Sequence, residues 1–117
     1  MSEILNDLYQ VLLTRKGVDA DESYVASLYH GGIEKMGAKI LEEAEEFIAE
    51  ARTGGLAGDL ADGSAGDLER LKEEGADLLF HVLVLMADQG LDPAEVLKTL
   101  EGRFGTSGHT EKASRCS

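Results

Sequence analysis

The chain has 117 residues, 43% of them hydrophobic, and a net charge of −12. That length suits one domain with a modest core, and the acidic balance excludes direct binding to nucleic-acid phosphates or anionic membranes. A phosphate substrate stays open if metal ions bridge it to the protein.

No stretch alternates apolar and polar residues for long, so the pattern predicts an all-α chain. Ile4 to Arg15 places Ile4, Leu5, Leu8, Val11 and Leu12 on one helical face, and Gly17 ends it. A loop, VDADE, leads to Ser23 and a short helix from Tyr24 to Tyr29, stopped by Gly31 and Gly32. A third helix runs from about Glu34 to Arg52. Thr53 to Gly66 is rich in Gly, Asp and Ala and reads as a mobile connection, with room for one helical turn around Leu56 to Leu60. A fourth helix runs from about Gly66 to Gln89, stopped by Gly90. Asp92 then caps a fifth, with Pro93 at its first position and Glu95 three residues after the cap; it ends near Phe104. Residues 105–117 form an irregular tail. The expectation is one domain over residues 1–117, a bundle of about five helices.

The only cysteine, Cys116, leaves no intrachain disulfide and points to the cytoplasm. The first residues, with Glu3 and Asp7, lack the basic-then-apolar order of a signal peptide. The most apolar run, Leu78 to Ala87, is too short to span a bilayer and is interrupted by His81.

Four carboxylates stand out. Glu43 and Glu46 lie three apart on the third helix, and Glu74 and Asp77 three apart on the fourth, so each pair shares a face. On the third helix Ile40, Leu41, Ala44, Phe47, Ile48 and Ala51 form one arc. Lys39, Glu42, Glu43, Glu46 and Glu50 form the other, meeting the first at Glu43. Taken alone this is equally an ordinary surface helix. The fourth helix is apolar around most of its circumference, through Leu71, Leu78, Leu79, Phe80, Val82, Leu83, Leu85 and Met86, and should be central. Glu74, Asp77 and His81 line one remaining strip. Acids on a core helix oppose its stability, so a divalent cation is the expected partner. Oxygen-only ligation favours magnesium, or manganese, over zinc.

A di-iron site needs a Glu-x-x-His pair on each of two helices; Leu78 stands three residues before His81, and the third helix has no histidine. A lone histidine such as His81 is more often a satisfied core residue than a ligand. No glycine-rich phosphate loop and no Ser or Cys nucleophile motif is present.

The spacing Glu43-x-x-Glu46 followed by Glu74-x-x-Asp77 resembles the metal motif of the all-α, MazG-related nucleotide pyrophosphatases. SYVASLYHGG (Ser23 to Gly32), GAKILEEAEEF (Gly37 to Phe47), EEGADLLFHVLVLMADQGL (Glu73 to Leu91) and GTSGHTEKASR (Gly105 to Arg115) together resemble the phosphoribosyl-ATP pyrophosphatase family. The likeness covers nearly the whole chain. It departs at Ala38, where the family often has a second lysine, and in the length of the Thr53 to Gly66 connection.

The resemblance implies magnesium-dependent hydrolysis of phosphoribosyl-ATP to phosphoribosyl-AMP and pyrophosphate, the second step of histidine biosynthesis, by a dimer of MazG-like bundles. It implies metal ligation by Glu43, Glu46, Glu74 and Asp77, and water activation by Glu42 or Glu43. Lys39, His81, Lys112 and Arg115 become the substrate contacts; without the likeness, Lys112 and Arg115 read as a frayed end. The metal motif alone does not separate this activity from house-cleaning hydrolysis of other nucleoside triphosphates. An acidic helical adaptor, its strip covered by a partner's basic residues, is the reading from another class.

Overall fold

A computed structural model describes residues 2–53 and 65–104, with side chains for 3–52 and 68–104. Among the described residues there are four helices and no strand: α1 (Ser2–Thr14), α2 (Tyr24–Thr53), α3 (Ala65–Gln89) and α4 (Pro93–Phe104). The predicted turn around Leu56 to Leu60 and the irregular tail lie outside the described residues. No described helix is long and apolar enough to cross a membrane.

Among the described residues the helices number four rather than about five because two helical arms meet at a kink at Gly32 with no loop between them. Gly32 has φ 76° and ψ −172°, a conformation glycine adopts without the steric cost of a side chain, and the helix resumes at once beyond it. The predicted short helix and the third helix are therefore the two arms of α2. The VDADE loop contains a single 3-10 turn, Ala20–Glu22.

Local chemistry explains the ends. Ser23 caps α2: its Oγ accepts from the Ala26 N–H at 3.2 Å. Asp92 caps α4, with Oδ1 accepting from the Ala94 N–H at 2.8 Å and Pro93 filling the first helical position. At the C-terminus of α3, Gly90 takes φ 74°. Leu91 N–H then reaches the Met86 carbonyl at 2.8 Å and Gly90 N–H the Ala87 carbonyl at 3.2 Å, a Schellman closure.

The apolar core gathers Tyr9 and Leu12 from α1, Leu28 and Met36 from either side of the α2 kink, and Leu83, Val84 and Ala87 from α3. The buried face of α1 is Leu5, Leu8, Tyr9 and Leu12. Ile4 and Val11, expected on that face, are exposed. Helical phase accounts for it: Tyr9 has the larger surface to bury, and turning it inward swings Ile4 and Val11, one heptad apart, toward solvent.

α2 packs chiefly against α3, and α1 against α3 and α4. The chain reverses between α2 and α3, which pack antiparallel. The core occupies the region of Met36 and Val84, and the carboxylates occupy the region of Glu43 and Asp77. In this second region the expected pattern is altered. Leu41 and Ile48, from the apolar arc of α2, are exposed, while Glu43 is only 7% exposed. Leu79 of α3 is exposed as well, so α3 is central along its second half only.

Candidate active site

Glu43 and Glu46 sit one turn apart on the second arm of α2, and Glu74 and Asp77 one turn apart on α3. The packing of the two helices brings these groups together. One oxygen each from Glu43, Glu74 and Asp77 lie within 4.8 Å of one another, and so do oxygens from Glu42, Glu43 and Glu46. Glu43 belongs to both sets.

The cluster is built against electrostatic cost. Oε1 of Glu43 and Oε1 of Glu74 are closed off from solvent and lack any protein hydrogen-bond partner. A buried carboxylate oxygen left in that state is costly, so the geometry asks for a cation. The Glu74 carboxyl is held above its ordinary pKa, first by loss of solvent, then by a hydrogen bond shared with Glu46 and by the charges of Glu46, Asp77 and Glu43.

One cation is already present. Lys39 Nζ lies 3.3 Å from Glu42 Oε1 and 3.8 Å from Glu43 Oε2. The hydrogen bond to Glu42 holds the Lys39 ammonium above its usual pKa, with smaller pulls from Tyr24, Glu42 and Glu43. Glu42 is exposed, at 52% of its side chain, as are Glu46 and Asp77, whereas Glu43 is buried. A second ion pair, Arg70 Nε to Glu50 Oε1 at 3.4 Å, ties α3 to α2 further along.

Gly75, between Glu74 and Asp77, permits the approach. A Cβ there would stand 3.1 Å from Cε1 of Phe47, so the phenyl ring lies directly over the glycine backbone. Sequence reading had no role for Gly75. Its signal was present: a glycine inside a helix costs about 1 kcal/mol relative to alanine, and a close backbone contact is the usual compensation.

His81 lies one turn beyond Asp77 and is 7% exposed. Its Nδ1–H donates to the Asp77 carbonyl at 2.8 Å, which leaves Nε2 to accept from the Tyr24 hydroxyl, also at 2.8 Å. Both ring nitrogens are occupied by protein groups. Tyr24, which sequence reading left without a role, is half exposed and stands beside the cluster. Lys112 and Arg115 lie outside the described residues.

The pattern of the phosphoribosyl-ATP pyrophosphohydrolase family matches residues 5–104. The chain belongs to that family. It is also 46% identical over 113 residues to the phosphoribosyl-ATP pyrophosphatase of Geobacter sulfurreducens, covering 97% of this chain and 94% of the relative. No solved structure gives a significant match. The stretch matched by the family pattern contains every carboxylate of the cluster, together with Lys39, Gly75, His81 and Tyr24.

Proposed function

We propose that the chain performs its family's reaction at this cluster, hydrolysing phosphoribosyl-ATP to phosphoribosyl-AMP and pyrophosphate with magnesium held by Glu43, Glu46, Glu74 and Asp77. The observation that carries the reading is the pair of solvent-excluded, partnerless oxygens of Glu43 and Glu74, one from each helix. The donor set fits the ion: it is all carboxylate oxygen, which suits magnesium, and manganese by the same chemistry. Glu43, common to both oxygen groupings, is the residue placed to serve both sides of the site.

Magnesium held there supplies positive charge for the phosphate oxygens around the cleaved anhydride and acidifies water. The remaining tasks fall to the chain. Glu42, exposed and at the rim, accepts a proton from the attacking water; Glu43, the other candidate base, is better placed as a ligand because its oxygen is buried. Lys39, held by Glu42 and Glu43, turns its ammonium to the phosphates when substrate arrives. Lys112 and Arg115 supply further phosphate contacts from the tail. His81, with both nitrogens engaged, acts behind the site rather than on the substrate.

The working unit in this reading is a homodimer. Ile33, Gly37, Ala38, Ile40, Leu41 and Leu85 line an open apolar groove, and Ile33 and Leu41 are exposed there. A second copy covers that surface. The lone Cys116 suits a cytoplasmic location.

The test of substrate is pyrophosphate release from phosphoribosyl-ATP beside a panel that includes dUTP and ordinary nucleoside triphosphates. Preference for phosphoribosyl-ATP is expected. Equal turnover of the panel would favour the house-cleaning reading, and no release from any of them would favour the adaptor.

A further inference from the structure

We propose that Tyr24 and His81 form a latch that positions Asp77 for the metal ion, so that both are positioning residues for the reaction although neither touches substrate. The proposal rests on the reading of Asp77 as a metal ligand.

The latch has two bonds in series. His81 Nδ1–H donates to the Asp77 carbonyl, and the Tyr24 hydroxyl donates to His81 Nε2, each at 2.8 Å. In the neutral imidazole this pattern selects the Nδ1–H tautomer, because the Asp77 carbonyl can only accept. The ring is wedged edge-on between two aromatics, with centroids 5.1 Å from Phe80 and 5.8 Å from Tyr24. The imidazole therefore has one orientation, and it holds the backbone of the residue whose carboxylate joins the cluster.

The connectivity gives the latch its consequence. Tyr24 opens α2 and belongs to the arm before the Gly32 kink; Glu43 and Glu46 belong to the arm after it. A kinked helix can flex between its arms. One hydrogen bond fastens the first arm to the very turn of α3 that presents Asp77. On the second arm, Lys39 Nζ lies 3.3 Å from Glu42 and 3.8 Å from Glu43. The latch thus joins the α2 arm that precedes the kink to the α3 turn that carries one of the ligands.

Tyr24 is a poor core anchor, since it is 51% exposed. Its hydroxyl, rather than its ring area, is what the fold uses. A second tyrosine gives the comparison. Tyr29, on the same arm, donates its hydroxyl to the Leu12 carbonyl at 2.8 Å, but in the apolar half of the bundle, against α1. The two hydroxyls make similar bonds to different neighbours.

The experiment is manganese binding without substrate, followed by electron paramagnetic resonance of the free ion, with thermal melting recorded on the same proteins. Tyr24→Phe keeps the ring and removes the bond to His81 Nε2. His81→Asn keeps a donor near Nδ1 and loses the reach to Tyr24. Both should weaken manganese binding by about tenfold, the low end for groups that orient metal ligands. The double variant should bind no more weakly than His81→Asn, because the latch acts as one unit. Tyr29→Phe should lower the melting temperature and leave binding unchanged.

Tyr24→Phe that melts lower yet binds as wild type, while Asp77→Asn binds poorly, overturns the latch alone. Asp77→Asn that binds as wild type overturns the metal reading, and the latch with it. Where His81→Asn does not fold, Tyr24→Phe against Tyr29→Phe carries the decision.

Discussion

Glu43 of α2 and Glu74 of α3 each keep a solvent-excluded oxygen without a protein partner, and their carboxylates bring oxygens within 4.8 Å of each other. The fold holds these two groups together at the expense of its own stability in the absence of a cation. That relationship gives the metal-free protein a characteristic pH response.

Glu74 keeps its proton more tightly in the fold than in the unfolded chain, because burial, Glu46, Asp77 and Glu43 all raise its pKa. Such a group stabilises the fold at low pH, and the contribution is lost as pH rises through the raised folded value. Without metal, the wild type is expected to lose stability across that interval, and Glu74→Gln to lose less. At neutral pH without metal, Glu74→Gln should melt higher than the wild type. With magnesium the order should reverse, since saturation at about a hundred times Kd adds about 2.7 kcal/mol to the protein that binds it. Equal melting curves with and without magnesium for both proteins would contradict this.

Gly75 offers a separation of stability from function. Gly75→Ala gains helix propensity, about 1 kcal/mol, but its Cβ meets Phe47 at 3.1 Å and moves one helix against the other by tenths of an ångström. The melting temperature should hardly change, while the magnesium concentration for half-maximal activity should rise about tenfold. Unchanged magnesium dependence would show that the cluster tolerates the shift.

Much of this arrangement was legible in the sequence because helical phase is simple. The i,i+3 spacing fixed which acids share a face, and the family likeness named the same residues. Both arms of α2, and the limits of α3 and α4, followed from glycine and capping signals at Gly32, Gly90 and Asp92. Three things were not legible. At Gly32 the helix breaks, but a second helical arm follows with no loop between, which depends on how the chain continues rather than on the glycine. Ile4, Leu41 and Ile48 face outward, which depends on the partner each face meets. The pairing of His81 with Tyr24, far away in sequence, appears only in the fold.

The exposed apolar groove predicts an assembly. Light scattering at micromolar concentration should give the mass of two chains. Leu41→Glu places a charge where Leu41 is 69% exposed, so it should leave the monomer folded and shift the mass to one chain. A wild-type mass of one chain would count against the dimer.

The tail prediction concerns Lys112 and Arg115. Deleting residues 105–117 should leave helical circular dichroism nearly unchanged. A charge-assisted hydrogen bond is worth about 1.5–3 kcal/mol, so loss of two contacts should lower kcat/KM for phosphoribosyl-ATP at least about a hundredfold, mainly through KM. Unchanged kcat/KM would remove the tail from the substrate site.

The most direct test of the account is magnesium-dependent pyrophosphate release from phosphoribosyl-ATP by Glu46→Gln and Asp77→Asn. Each variant keeps the shape of its side chain and removes one charge from the cluster, on α2 in one case and α3 in the other. Both should remain folded and lose at least about a hundredfold in turnover at ordinary magnesium, the scale on which single electrostatic groups at a reacting centre act. Near-wild-type release by both variants, with the same magnesium dependence, would contradict the assignment of the cluster as the metal site.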